Sequence, residues 1–217
     1  LYTISADQHL NAAYYRNTAI HYFILDAFVE VALLDAASES GDLTEAFFVR
    51  TSELRELFKF EFYFPRRADY QSEIEKRVGD RFADWEDKAR RSDTGGHAVL
   101  GGVQPLIAHG VLRSFVDAYR IVASVLAAAG ADSIDDEGSF LSQCLKAGKQ
   151  ELLQERVFSA ESISKTLYET GWKLASYRGL LAANQSDARR EFHEEFGRIT
   201  GRLDERLAIT LARAGDR

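Results

Sequence analysis

The first residues of this chain that could do chemistry are a histidine and an aspartate, His21 and Asp26, with four residues between them. A histidine that is oriented by a carboxylate can take a proton from a hydroxyl group and activate it as a nucleophile. That role requires the two side chains to lie within hydrogen-bond reach of each other. Positions five apart on a regular helix point about 140° away from each other. The spacing therefore predicts no general base, and we expect His21 to be a partly buried, hydrogen-bonded helix residue.

Other residue types that are suited to chemistry show no recognised spacing. The four further histidines, which form no metal-ligand pattern, are His9, His97, His109 and His193. The glycine-rich stretch GGHAVLGG, residues 95–102, lacks the lysine and the hydroxyl residue of a phosphate loop. We therefore predict no catalytic residue, no metal site and no cofactor in this chain. Asp26 and Glu30 are expected to form a polar strip on their helix.

The charge pattern argues against a nucleic-acid partner. The formal net charge of the 217 residues is −7, and lysine and arginine form only short clusters instead of a basic patch or stripe. Those clusters, which we expect to be solvated faces, are Arg66–Arg67, Lys88–Arg91 and Arg189–Arg190. The single cysteine, Cys144, permits no internal disulfide and is expected to be a small core residue.

No segment of the sequence predicts a membrane span. The longest apolar candidate, residues 18–37, is interrupted by a histidine and three carboxylates. Residues 121–131 are too few to cross the ~30 Å of hydrocarbon in a bilayer. No signal peptide is recognisable, and the chain contains no methionine, not even at its first position. We therefore expect it to be a piece of a longer protein.

Apolar residues recur at helical spacing along almost the whole chain, which predicts an all-α fold, a multi-helix bundle of about seven helices. The helix within residues 10–37 is apolar over most of its girth, so we expect it to be central. Asp42 and Glu45 form a capping-box pattern that starts a second helix. A third helix is expected from about Asp69 to Arg91. The later helices are expected from about Pro105 to Gly130, over 139–155, over 160–177 and from Ser186 or Asp187 onward.

One short run, KFEFYF at residues 59–64, alternates as a strand would. Six residues do not separate a strand from a helix, and we interpret the run as the frayed end of the second helix. Aromatic side chains that stand beside arginines suit a membrane interface. The candidate membrane contacts are Phe60, Phe62, Phe64, Arg66 and Arg67. The alternative is that the run is a helix end packed in the core.

Four blocks of the sequence, taken in order, carry a more specific signal. They are YYRNTAIHYF (14–23), LRELFKFEFYF (54–64), VLRSFVDAYRIVASVL (111–126) and LLQERVFSAESISKTLYETGWKLASYRGLL (152–181). Together these blocks resemble the C-terminal helical region of bacterial glycerol-3-phosphate acyltransferases, with the actinobacterial branch as the expected one.

The resemblance implies an enzyme that moves an acyl chain from acyl-CoA or acyl carrier protein to the 1-hydroxyl of glycerol 3-phosphate. Its product is lysophosphatidic acid for phospholipid synthesis, made by a peripheral protein at the cytoplasmic face of the inner membrane. Dihydroxyacetone-phosphate acyltransferases share the architecture, so the acceptor stays open between the two. The family's catalytic motifs lie upstream of its YYRN-like segment, and none of them is found here. Residues 1–217 are therefore expected to be a noncatalytic C-terminal domain whose partner is an upstream acyltransferase domain.

Within the first block, Tyr14, Tyr15, Arg16 and Asn17 are the candidate contacts with that upstream domain. Arg16 is also the candidate for a contact with the substrate phosphate, because a buried arginine needs an anionic or carbonyl partner. The rival interpretation is a free-standing helical ligand-binding module, such as the effector domain of a transcriptional regulator. Such domains normally follow a basic helix-turn-helix, and the acidic N-terminal segment shows none.

Overall fold

A computed structural model describes residues 18–38, 42–90, 99–100 and 106–215. In these residues all regular structure is helical, with eight α-helices and no strand. The helices are α1 (Ile24–Ala37), α2 (Leu43–Phe58), α3 (Arg67–Arg81), α4 (Trp85–Arg90), α5 (Ala108–Ala128), α6 (Glu137–Leu153), α7 (Lys165–Tyr177) and α8 (Ser186–Gly215). Two 3-10 turns lie at Ile20–Tyr22 and Ala160–Ser162. The prediction of an all-α fold is confirmed.

The predicted extent of the third helix was wrong, because the structure forms two helices, α3 and α4, where the sequence predicted one. Asp84 lies between them with φ of 57°, a left-handed conformation that aspartate tolerates better than most residues. The bend brings Trp85 against Phe47 of α2, with 4.8 Å between the ring centroids. Tertiary packing of the tryptophan thus overrides the local helical period.

The described residues form two compact units, each built around its own helices. The first unit contains the described residues up to Leu112 together with 202–215, and in it α1 packs against α2 and α3. Helix α1 is buried on nearly every side, as predicted from the apolar residues around most of its circumference. Asp42 begins α2 as expected, since its carboxylate accepts a hydrogen bond from the Glu45 N–H at 3.0 Å.

The second unit contains residues 113–201. Its helices α6 and α7 pack together, with 5.0 Å between the ring centroids of Phe140 and Trp172. Tyr119 of α5 meets Phe196 of α8 edge to face at 5.6 Å. Cys144 is fully buried, and that burial raises the pKa of its thiol to about 12. The expectation that Cys144 is a core residue is confirmed.

Arg189 was expected on a solvated face, and that expectation was wrong, because the side chain is fully buried. Its guanidinium donates four hydrogen bonds to main-chain carbonyl groups. The acceptors are Gly130 at 2.7 Å, Leu180 at 2.8 Å, Asp132 at 2.9 Å and Ala182 at 3.0 Å. Arg189 therefore ties the loop that follows α5 to the loop that follows α7.

Candidate functional site

The histidine and the aspartate of the opening motif lie on different elements. His21 belongs to the first 3-10 turn and Asp26 to α1. His21 is exposed, with its ring centroid 4.2 Å from that of Tyr22, so the expectation of a partly buried histidine was wrong. Asp26 Oδ2 accepts a hydrogen bond from Arg77 Nη1 at 3.1 Å. Because the recorded partner of the carboxylate is an arginine of α3, the geometry does not support a His–Asp base.

The surface cleft beside Asp26 has no excess of positive charge. Its lining residues are Asp26, Glu73, Lys76, Arg77, Asp80 and Arg81, three acidic and three basic. Both arginines already pair with carboxylates, Arg77 with Asp26 and Arg81 with Glu30. A site for a substrate phosphate needs basic groups or N–H donors that are not already neutralised. Of the three basic lining residues, Lys76 alone is not in such a pair within the described part of the chain, and one lysine among three carboxylates is a weak site for a phosphate.

Glu30 was expected on a polar strip, which was wrong, because it is fully buried in the first unit. Arg81 Nη2 lies 2.7 Å from one carboxylate oxygen. The N–H groups of Ile107 and Ala108 donate to the same carboxylate at 3.1 and 2.9 Å. These N–H groups open α5 and would otherwise lack an acceptor, so Glu30 caps that helix from a distant part of the chain.

Asp35, the third carboxylate of α1, also pairs with an arginine. Arg202 Nε donates to Asp35 Oδ1 at 2.8 Å within the first unit. Burial lowers the pKa of Arg202, but the carboxylates of Asp35 and Glu205 outweigh this effect and raise it above its ordinary value. Each carboxylate of this apolar central helix therefore serves as an attachment point for an arginine of another helix.

The predicted aromatic run forms a loop at the end of α2. We call residues 59–67, which include Arg67 at the start of α3, the aromatic loop. The N–H groups of Glu61 and Phe62 both donate to the Phe58 carbonyl, at 2.9 and 3.0 Å, which makes a turn directly after the helix. The residues that follow, 63–66, have no regular structure. The run is not a strand, and its first half is a helix end that has opened into a turn.

Two of the candidate membrane contacts, Phe62 and Phe64, are half-buried. The Phe64 ring stacks on Phe28 of α1 at 5.7 Å and meets Tyr70 of α3 edge to face at 6.2 Å. The Phe62 ring lies 6.1 Å from that of Phe58. These two side chains therefore pack against the helices and support the loop from within.

The outer side of the aromatic loop carries different residues. Phe60 is 41% exposed, and Tyr63 is fully exposed at 102%. Arg66 and Arg67 are exposed beside them. Sequence reasoning missed Tyr63, because the candidate membrane contacts were chosen only among the phenylalanines and arginines of the run. The structure, with a turn after α2, leaves Tyr63 at the surface.

The aromatic loop is positively charged within an acidic chain. Lys59, Arg66 and Arg67 stand against Glu61 alone, a local charge of +2 where the whole chain carries −7. Glu56 of α2 accepts hydrogen bonds from Lys59 at 2.9 Å and from Arg67 at 2.8 Å. Burial raises the pKa of Glu56, but these hydrogen bonds and charges outweigh it and lower the pKa below its ordinary value. The loop is thus held by one carboxylate at its base.

Some predicted residues lie outside the described part of the chain, namely Tyr14, Tyr15, Arg16 and Asn17. Within the described part, no group of three histidine, cysteine, aspartate or glutamate residues could hold a metal ion. None of the helices in that part has the length and the apolar composition that crossing a membrane requires.

Comparison with known proteins identifies the family. Residues 1–184 match the model of the family described as "Glycerol-3-phosphate acyltransferase C-terminal region". The chain belongs to this family. The resemblance found in the four sequence blocks is thereby confirmed, and a free-standing effector module is not favoured.

Similar proteins come from mycobacteria. Proteins described as "Putative acyltransferase plsB1" in Mycobacterium bovis (strain ATCC BAA-935 / AF2122/97) and in Mycobacterium tuberculosis (strains CDC 1551 / Oshkosh and ATCC 25618 / H37Rv) are 41% identical to this chain over 211 residues. The match covers 93% of this chain and 33% of each relative. The chain thus spans about a third of the length of these curated relatives. No solved structure matches it.

Proposed function

We propose that this chain is the noncatalytic helical part of an enzyme that acylates the 1-hydroxyl of glycerol 3-phosphate. The acyl donor is acyl-CoA or acyl carrier protein, and the product is lysophosphatidic acid for phospholipid synthesis. The observation that carries the proposal is the family match over residues 1–184. In this proposal the catalytic domain belongs to the parent protein upstream of this chain, and substrates reach the chain only through that domain.

The geometry of the first unit supports a noncatalytic role. A histidine that acts as a general base is oriented by a hydrogen-bonded partner, whereas Asp26 is bound to Arg77. Glu30 and Asp35 are equally committed, to Arg81 and Arg202. None of these three carboxylates is left to take up a proton from a substrate.

A complementation assay tests this proposal. This chain and the upstream part of the parent protein are produced as two polypeptides, and lysophosphatidic acid formation is measured with each alone and with both mixed. Activity in the mixture only is the expected result. Activity of this chain alone would contradict it, and a His21→Ala control would then show whether the exposed histidine acts as the base. Full activity of the upstream part alone would reduce the chain to an appendage.

Tyr14, Tyr15, Arg16 and Asn17 are proposed to contact the catalytic domain, and the family resemblance supports this assignment. Arg16 has two possible roles, a structural tie or a contact with the substrate phosphate. Arg16→Ala in the full enzyme separates them. A tie lowers stability with the KM for glycerol 3-phosphate unchanged, whereas a phosphate contact raises that KM in a stable protein.

The aromatic loop is proposed as the contact with the cytoplasmic face of the inner membrane. Its exposed Phe60 and Tyr63 provide apolar and amphipathic rings, and its local charge of +2 favours anionic head groups. Each basic residue near such a surface contributes about 1 kcal/mol, so Arg66→Ser with Arg67→Ser should weaken vesicle binding up to roughly thirtyfold at low salt. Because salt screens the attraction, the difference should shrink as salt rises. An effect that is independent of salt would contradict an electrostatic contact.

A further inference from the structure

A second exposed apolar feature lies in the second unit, where residues 153–160 join α6 to the following 3-10 turn. We call these residues the 153–160 loop. Leu153 is 85% exposed and Phe158 is 60% exposed, while Val157 between them is buried. Large apolar side chains that stay exposed to solvent mark interaction surfaces when several of them occur together. The 153–160 loop is therefore a candidate docking surface.

The backbone of the loop is held in place by charged side chains from α5. Asp117 is fully buried, and its Oδ2 accepts from the Phe158 N–H and from Arg113 Nε, each at 3.0 Å. Arg120 Nη2 donates to the Arg156 carbonyl at 2.9 Å and to Glu151 Oε2 at 2.7 Å. Two separate points of the loop are thus tied to one helix.

The contact with Arg113 fixes the direction in which the Phe158 ring faces. Arg113, Asp117 and Arg120 are spaced so that they share one side of α5. The Arg113 guanidinium lies 5.8 Å from the centre of the Phe158 ring and supports its inner face. Because the loop is already ordered, docking of Leu153 and Phe158 would lose little conformational entropy.

The charge of the loop indicates what kind of partner it fits. Glu155 and Arg156 balance each other, so the 153–160 loop carries no net charge. An anionic lipid surface attracts basic segments, and this loop offers no excess of them. Two exposed apolar side chains with exposed polar residues between them along the chain, Gln154 to Arg156, instead match the residue types of a protein–protein interface. About two thirds of the length of the mycobacterial relatives lies outside the region that matches this chain, which leaves room for such a partner within the parent protein.

We propose that Leu153 and Phe158 dock onto the catalytic part of the parent acyltransferase. That part would offer an apolar pocket with polar groups at its rim. This inference rests on the proposed function, because it takes its partner from the parent enzyme.

The test uses the intact parent enzyme with a protease site inserted ahead of Leu1. The enzyme is purified whole and then cleaved, and the rate at which this chain dissociates from the catalytic part is measured. Leu153→Ser with Phe158→Ser should speed dissociation at least thirtyfold, because a few well-packed apolar anchors dominate such interfaces. Tyr177→Ser is the matched control, since Tyr177 is an equally exposed aromatic residue of the same unit, and it should change the rate less than threefold.

A dissociation rate of the double variant that equals the wild-type rate overturns the inference. Two other results also overturn the inference. If the double variant loses vesicle binding, the loop contacts lipid, and if its self-association changes, the loop contacts a second copy of this chain.

If the double variant does not fold, hydrogen exchange in the wild-type protein provides the test. The amides of 154–158 must exchange at least tenfold more slowly in the intact enzyme than in this chain alone, and equal exchange rejects docking. If the cleaved wild-type parts separate at once, the inference fails, whereas an intact parent enzyme that forms no lysophosphatidic acid from glycerol 3-phosphate would reject the proposed function itself.

Discussion

The aromatic loop and the 153–160 loop each expose two large apolar side chains, yet they differ in charge and in support. The aromatic loop carries +2 and is held by Glu56 and by the half-buried rings of Phe62 and Phe64. The 153–160 loop carries no net charge and is held by the buried carboxylate of Asp117. The comparison teaches that exposed apolar side chains do not identify a partner by themselves. In the two proposals made above, the charge around the exposed side chains decides between a lipid surface and a protein surface.

The largest expected effect tests the support of the 153–160 loop. Asp117→Ala would remove the buried carboxylate that accepts hydrogen bonds from Arg113 Nε and from the Phe158 N–H. Removing one member of a buried pair costs about 3–5 kcal/mol, and we expect a loss of that size in the free energy of unfolding measured with urea. Asp117→Asn keeps an oxygen acceptor and should lose clearly less. A loss below about 1 kcal/mol in the alanine variant would show that the buried carboxylate does not hold the loop.

The second prediction separates the inner side of the aromatic loop from its outer side. Phe64→Ala removes a ring that stacks on Phe28 and meets Tyr70 edge to face, so we expect a loss of about 2 kcal/mol in the free energy of unfolding. Phe60→Ala removes a ring that is 41% exposed, and it should change that free energy by clearly less, about 0.5 kcal/mol. Equal losses in both variants would mean that the two residues do not differ in role.

The third prediction concerns vesicle binding by the outer residues. Phe60→Ser with Tyr63→Ser should weaken flotation with anionic vesicles about tenfold, which corresponds to roughly 1.4 kcal/mol of lost apolar contact. Val49→Ser provides the control, because Val49 is an exposed apolar residue of α2 in the same unit. Unchanged flotation of the double variant would remove the lipid role of the aromatic loop.

The smallest effect is a pH dependence at the base of the aromatic loop. The pKa of Glu56 is lowered from its ordinary 4.5, so its ionised form stabilises the folded state. That contribution is fully present above pH 4.5 and is lost as the pH falls through the lowered value. Glu56→Gln should therefore cost about 0.5 kcal/mol at pH 7 and nothing in strong acid, measured by urea unfolding at both pH values. A constant difference at all pH values would contradict the account of the lowered pKa.

Local sequence signals predicted much of the fold. Helical periodicity identified the central α1, and the Asp42 cap predicted where α2 begins. Gly130 and Gly179 follow α5 and α7 with positive φ, as glycines at helix ends commonly do. These features depend on residues that are neighbours in sequence, so the sequence alone reveals them.

Long-range partners could not be predicted in this way. Glu30 caps α5 across 78 positions, and Arg189 reaches the Gly130 carbonyl across 59. Asp117 binds the Phe158 N–H across 41. From the sequence alone, each of these charged residues is expected at a solvent-exposed position. Only the tertiary structure supplies the partner that makes its burial favourable.

The candidate site was predicted in part. The sequence identified the aromatic loop as a possible surface, but it did not separate Phe62 and Phe64, which pack inward, from Tyr63, which is exposed. That distinction depends on the turn after Phe58 and on the packing of Phe64 against Phe28 and Tyr70, and interpreting the run as a frayed helix end did not predict these contacts. The 153–160 loop had no chemical motif, and its exposure follows only from its ties to α5.

The most direct test of the comparison places one environment-sensitive dye on each loop. Cys144 is fully buried with a thiol pKa raised to about 12, so it stays unlabelled in the native protein. Tyr63→Cys and Phe158→Cys then each offer a single reactive thiol. The account predicts that anionic vesicles shift the emission of the dye at position 63 only, and that the catalytic part of the parent enzyme shifts the emission at position 158 only. A response of both positions to vesicles, or an exchange of the two responses, would contradict it.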